Sequence, residues 1–286
     1  MKVIRLLALL CVVTVRHASA QLSGAPALQH AAFTLDSISR TSGPAWDTVR
    51  SRHFIVHLER PSSAASAAQM LDSLEAAWDG AVSLLRESPA GETHAHVFVT
   101  RSRTRFPALL SPESKGLMTR LVGRGEVIIL VQNDSVRAYT RHEVMHLVTW
   151  RVWGAAVTGN AWLIEGLATF ADGRCQGSTI RAVGRDLLSA RSSIRAGDLL
   201  TNFLSMYRSD RAATYVLAGT FVDYLWASRG RNGVKRLWRG DDSLIDIGVL
   251  PGLGGDLTAG WRAHVARSAG QSAGLDPVAF RRFGCG

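Results

Sequence analysis

Two histidines and a glutamate lie within five residues of the apolar stretch RHEVMHLVTW, residues 141–150. His142 and His146 are four residues apart, so on a helix they lie on the same face. Two imidazoles in that arrangement can hold one Zn²⁺, and Glu143 then lies beside the metal. The motif also occurs in helices by chance, but burying two histidines and a carboxylate without partners is costly. The stretch therefore predicts a metal site if a third ligand lies nearby.

Glu165, in the segment AWLIEGLATF, is the candidate third ligand because it lies on the next predicted helix. Catalytic zinc usually has three protein ligands and one open position. Asp172 follows two helical turns later on the same face, where it could accept a hydrogen bond from a ligand histidine. An acidic residue just before Gly173 is also typical of a solvent-exposed helix end. The sequence predicts a ligand role for Glu165 and leaves both alternatives open for Asp172.

The zinc-motif region resembles the gluzincin zinc metallopeptidases, in particular the aminopeptidase N family. The resemblance consists of the HEVMH motif, the 18 residues between its last histidine and Glu165, and the segment WLIEGLATF. Ile164 stands where that family usually has asparagine. The segments SRHFIVHLE, VFVTRSRTRF and TYVLAGTFVDYLWASRG extend the resemblance to a peptidase MA-like domain, over approximately residues 48–269. The resemblance therefore implies a zincin, thermolysin-like catalytic domain.

The resemblance also implies a role for each matching residue of the zinc motif. His142, His146 and Glu165 would bind one zinc ion per chain. Glu143 would be the general base, taking a proton from the attacking water and passing it to the leaving amine. The expected substrate is a peptide or a protein.

Tyr215, in the segment TYVLAGTFVDYL, resembles a tyrosine of that family that donates a hydrogen bond to the tetrahedral oxyanion. A buried tyrosine that only packs is the alternative. Tyr224, nine residues later, matches a position that only packs. Tyr215 is therefore the candidate oxyanion donor, and Tyr224 provides an internal comparison.

The segment GRGEVIILVQND would, by the same resemblance, be the edge strand above the site. An exposed edge can pair with an extended peptide, although the pattern fits a buried strand equally well. Aminopeptidases of the family bind the substrate amine through an acidic GxMEN strand, which this chain lacks. An endopeptidase is therefore favoured over an aminopeptidase. A catalytically weak or non-peptidase zinc-binding module of the same fold is the competing hypothesis.

The remaining pattern places these residues in an α+β fold. Strands are predicted at 53–59, 94–100 and 126–134, with a long helix between the first two. Helices alone follow the third strand, and they include residues 141–153, 161–172 and 211–230. This order predicts a small N-terminal mixed β-sheet with helices, followed by a helical C-terminal half.

The N-terminus resembles a secretory signal. Residues 1–20 contain two early basic residues, the apolar run LLALLCVVTV and the cleavage signature ASA. We therefore predict a signal peptide over 1–20, a leader segment over 21–47 and the catalytic domain over 48–286. The expected location is periplasmic or extracellular, with no transmembrane segment, because ten apolar residues are too few to span a bilayer.

The cysteines and the charge distribution bear on the compartment and on the partners of the protein. The two cysteines outside the signal, Cys175 and Cys285, predict one disulfide in an oxidising compartment, with two free thiols as the alternative. The formal net charge is +10, but the arginines are scattered along the chain. Nucleic-acid-binding proteins cluster such charge on one element, so no nucleic-acid partner is expected.

Overall fold

The protein is described here from a computed structural model, which covers residues 46–91, 93–107, 109–110, 115–121, 125–133, 139–157, 159–242, 257–268, 280 and 285. The predicted signal peptide lies outside the described residues, as does the predicted leader up to residue 45. Trp46 and Asp47, the last two residues of that leader, already belong to the first strand.

A five-stranded mixed sheet forms the N-terminal part of the described chain. Its strands in chain order are β1 (Trp46–Arg50), β2 (Phe54–Glu59), β3 (Ala95–Thr100), β4 (Gly116–Leu121) and β5 (Gly125–Val131). Their order across the sheet is β1-β2-β3-β5-β4. The strands β2, β3 and β5 run parallel, whereas β1 and β4 are antiparallel to their neighbours and form the two edges.

The strand β5 is internal, which corrects the prediction that the segment GRGEVIILVQND is the edge strand. It pairs with β3 on one side and with β4 on the other. Ile128 and Leu130 pack into the main core, while Val127, Ile129 and Val131 pack into a second cluster on the opposite face. A continuous apolar run is typical of a strand that is buried on both faces. The edge strand near the predicted site is instead β4.

Helices make up most of the remaining described chain, and the α+β class is confirmed. They are α1 (Ala64–Leu85), α2 (Thr140–Trp153), α3 (Ala161–Asp172), α4 (Ile180–Ala190), α5 (Ala196–Ser209), α6 (Arg211–Arg239) and α7 (Leu257–Ser268). A two-stranded ribbon, β6 (Arg174–Cys175) with β7 (Ser178–Thr179), follows α3. The predicted helix end at Gly230 is confirmed in part, because Gly230 leaves the helical conformation at φ 67° and α6 then resumes.

Close packing of α3 against α6 fixes the relation between two predicted site segments. A Cβ atom added at Gly166 would lie 2.8 Å from the carbonyl oxygen of Ala218. A Cβ atom added at Gly219 would lie 2.8 Å from the side chain of Thr169. Only glycine permits such a close approach of the two backbones. The two helices therefore hold Glu165 and Tyr215 in a fixed relation.

The predicted cysteine pair is at disulfide distance. The sulfur atoms of Cys175 and Cys285 are 2.12 Å apart. The pair ties the C-terminal region to the ribbon that follows α3, and this agrees with the prediction of one disulfide. A membrane-spanning helix is not found in the described ranges, since each helix there is too short or too polar for that.

Candidate metal centre

The helix α2 carries both predicted histidines, and their rings lie close together. Its end at Gly154, whose backbone N–H donates to the carbonyl of Trp150, agrees with the sequence prediction. The rings of His142 and His146 lie on the same helical face, with centroids 4.7 Å apart and ring planes 85° apart. His142 is buried and His146 nearly so, because the rest of α2 packs into the main core.

Glu165 on α3 lies against both imidazoles. Its Oε2 atom is 3.1 Å from Nε2 of His142 and 3.5 Å from Nε2 of His146. Neighbouring ligand atoms of tetrahedral zinc are separated by about 3.3 Å, given metal–ligand bonds of about 2.0–2.1 Å. One ligand atom from each of the three residues lies within 4.8 Å of the others. The donor set of two imidazoles and one carboxylate therefore fits a divalent metal ion such as zinc.

The three side chains are electrostatically coupled to one another. Burial by itself would raise the pKa of Glu165, but the charge of His146 and the hydrogen bonds from both histidines hold that pKa well below its usual range. Burial would lower the pKa of His146, and the two carboxylates, Glu165 and Glu143, outweigh this and raise it. The carboxylate of Glu165 is therefore ionised over the ordinary pH range.

Glu143 lies between α2 and the edge strand β4. It is buried, and burial raises the pKa of its carboxyl above the usual value although both histidines oppose the shift. The backbone of Met118 lies within hydrogen-bonding reach of the carboxylate. A Cβ atom added at Gly116 would lie 2.6 Å from Oε1 of Glu143. The strand thus holds this carboxylate beside the candidate ligands, where a raised pKa suits a general base.

Tyr215 on α6 reaches the same cluster. Its ring stacks on the ring of His142, with centroids 5.8 Å apart. Burial, together with the charge of Glu165, raises the pKa of the phenol well above 10, so the group is a hydrogen-bond donor at neutral pH. Tyr224 instead lies near Phe221 and His264, in the packing between α6 and α7.

Asp172 lies at the end of α3 and is partly buried. Burial raises the pKa of its carboxyl, while the charges of His142 and Arg141 oppose that shift. Among the described contacts, no hydrogen bond joins Asp172 to His142. The structure therefore places Asp172 in the electrostatic field of a candidate ligand, and its predicted orienting role stays a prediction.

Four residues near the cluster were not found by the sequence reasoning: Lys115, Gly116, Tyr139 and Arg211. Tyr139 precedes α2 and lies 5.6 Å from His142 between ring centroids. Its hydroxyl accepts a hydrogen bond from the backbone N–H of Cys285, at 3.0 Å. Arg211 could have been suspected, because it stands one helical turn before Tyr215. The others follow no local pattern, since tertiary pairing alone brings them to the cluster.

Comparison of the chain with protein-family models finds no match, and a search of curated proteins finds none either. Within the described residues, His142, His146 and Glu165 form the one group of three or more potential ligands with metal-binding spacing.

Proposed function

We propose that this protein is a zinc-dependent metallopeptidase with a zincin, thermolysin-like fold. The observation that supports this most directly is the convergence of His142, His146 and Glu165, with Glu143 buried beside them. Three protein ligands leave one position open on a tetrahedral ion, as catalytic zinc sites do. The helix α2, which carries two of the candidate ligands, contacts both α3, which carries the third, and the antiparallel edge strand β4. This arrangement also fits a catalytic domain of this type.

The proposed reaction is hydrolysis of a peptide bond. Zinc, when bound, supplies a Lewis acid that makes attack by water feasible near neutral pH. His142, His146 and Glu165 would hold the ion. Glu143 takes a proton from the attacking water at its carboxylate and passes it to the leaving amine. Tyr215 donates its phenolic hydrogen to the oxygen that gains negative charge.

The strand β4 is the proposed binding site for the peptide backbone. In the described sheet β4 has one strand neighbour, β5, and we propose that an extended peptide pairs with its other side. Gly116 and Met118 place that strand next to Glu143. A peptide paired with β4 would pass the proposed base, and endoproteolysis is favoured because the chain lacks the GxMEN amine anchor.

We further propose that the enzyme acts outside the cytoplasm, in the periplasm or the extracellular space. The N-terminal signal-like sequence supports export, and the disulfide between Cys175 and Cys285 is compatible with an oxidising compartment.

Metal analysis combined with two variants tests the proposal. The purified protein should contain about one zinc per chain and should cleave a peptide library, with loss of cleavage after chelation. His146→Ala should lose most of the metal. Glu143→Gln should keep the metal and the fold but lose hydrolysis, because the amide preserves the shape while removing the proton acceptor.

The outcomes separate the competing functions. Undiminished zinc in His146→Ala would contradict the ligand assignment. Zinc binding without cleavage of any peptide would favour a zinc-binding module, and near-parental cleavage by Glu143→Gln would contradict the general-base role.

A further inference from the structure

Arg211, the first residue of α6, lies one aromatic ring away from the candidate metal ligands. The Cζ atom of its guanidinium is 5.4 Å from the ring centroid of Tyr215 and 5.3 Å from that of Tyr207. Tyr215 in turn stacks on His142. Two rings therefore fix the guanidinium beside the site, which reduces the conformational entropy that binding would otherwise cost.

Within the described part of the chain, the carboxylate nearest in effect to Arg211 is Glu165, whose charge helps to raise the pKa of the guanidinium without forming an ion pair with it. Arg211 forms no ion pair with any described residue, whereas Arg181 of α4 pairs with Asp223 through two hydrogen bonds. Its Nη1 atom is buried without a hydrogen-bond partner there, while the side chain as a whole stays partly exposed. The guanidinium also hydrogen-bonds the side chain of Tyr215, so the unmet N–H is the one on Nη1. A buried N–H without an acceptor costs free energy, and an anion would supply that acceptor.

A second cation, Lys115, lies near His142 and within the electrostatic reach of Arg211. Lys115, which precedes the edge strand β4, is buried, and its Nζ atom lies 5.1 Å from the ring of Tyr139. The ring of Tyr139 in turn lies near the ring of His142. Arg211 and a bound divalent metal would together carry more positive charge than Glu143 and Glu165 carry negative charge. The site with metal bound therefore has a positive field, which attracts anionic substrates.

We propose that Arg211 binds a carboxylate of the substrate, so that the enzyme prefers peptides with a carboxylate close to the scissile bond. A planar guanidinium matches a carboxylate with two parallel hydrogen bonds, and its contact with Tyr215 holds it near the candidate metal ligands. The carboxylate is either a free C-terminus or the side chain of aspartate or glutamate. The inference rests on the proposed function, because it specifies the substrate class of the same site.

The test measures binding separately from turnover. Zinc-loaded Glu143→Gln protein is incubated with two hexapeptide libraries, one ending in a carboxylate and one in a carboxamide, and retained peptides are identified by mass spectrometry. Retained peptides should be enriched about 10- to 100-fold in carboxylate groups, the ratio expected for one hydrogen-bonded charged contact. Enrichment in the acid library alone identifies the C-terminus. Enrichment for aspartate or glutamate in both libraries identifies a side chain.

Variants of Arg211 in the same background locate the effect. Arg211→Met should abolish the enrichment, and Arg211→Lys should retain part of it, because it keeps the charge without the planar fork. Arg208→Met is the matched control, since it removes one positive charge from an exposed position three residues earlier. That variant should keep the enrichment. Zinc content and thermal unfolding of each variant establish that it is folded.

Three results would overturn the inference: equal retention of charged and neutral peptides, enrichment that survives Arg211→Met, or no retention from either library. Failure of the proposed function has a different signature, namely absence of zinc or of chelator-sensitive cleavage by the parental protein. If Arg208→Met loses the enrichment to the same extent as Arg211→Met, the net charge of the protein explains the enrichment. That result would contradict a direct contact between Arg211 and the substrate carboxylate.

Discussion

Gly116→Ala should impair catalysis because the added methyl group would displace the neighbouring Glu143. The added Cβ atom would lie 2.6 Å from Oε1, 2.8 Å from Cγ and 3.0 Å from Cδ of Glu143. Carbon atoms in contact are normally about 3.5–4.0 Å apart, so the carboxylate must retreat by about 1 Å. A displacement of that size at a reacting group costs about 100-fold in rate. Overpacking should also destabilise the fold by about 1–3 kcal/mol.

The assay compares kcat/KM for a library-derived peptide, zinc content and urea-induced unfolding in the parental and variant proteins. Zinc content should be unchanged, because Gly116 contacts Glu143, which is not one of the three proposed ligands. Gly80→Ala is the matched control, since its added Cβ atom would meet nothing within 4 Å. That variant should keep the parental rate and gain about 1 kcal/mol of helix stability. Parental kcat/KM in folded Gly116→Ala would refute the proposed position of the base.

Three further predictions concern other parts of the molecule. Tyr215→Phe should lower kcat about 100- to 1000-fold with little change in KM, while Tyr224→Phe should keep the parental kcat. Equal losses of kcat in both variants would mean that damage to α6, and not loss of an oxyanion donor, causes the effect. Cys175→Ser should lower the free energy of unfolding by about 2–5 kcal/mol, measured in urea without reductant, and an unchanged midpoint would contradict this. Burial, with the charge of the neighbouring His96, lowers the pKa of His57 from 6.5 to about 4. The unfolded chain therefore binds this proton more tightly than the folded protein does. The free energy of unfolding should fall as the pH drops from 6.5 towards 4. Thermal unfolding of His57→Gln should show less of this loss, and an identical pH profile would contradict the cause.

The local pattern of the sequence was sufficient for the elements that carry the candidate ligands. The spacing of His142 and His146 and the glycine after the helix predict α2 and the face that carries the two candidate ligands. Three predicted strands also agree with β2, β3 and β5 within a few residues. These elements are long and periodic, and their apolar positions report directly on burial.

The local pattern was not sufficient for the sheet edges and for the groups that only tertiary contacts bring to the site. The strand β4 mixes Thr119 and Arg120 with apolar residues over six positions, so its sequence does not distinguish it from a loop. Its position beside Glu143 depends on pairing with β5, which no local signal encodes. Arg211 likewise becomes relevant only because α6 packs against α3.

The hydrogen bond between Cys285 and Tyr139 has a practical consequence for anyone who purifies this protein. Cys285 lies next to the residue that precedes the proposed zinc-binding helix. A polyhistidine tag attached close to Cys285 would therefore start near the proposed metal centre. Its imidazoles could compete for the zinc or occupy the open position, and would then mimic low metal content or low activity. An N-terminal tag placed after the predicted signal peptide avoids this artefact.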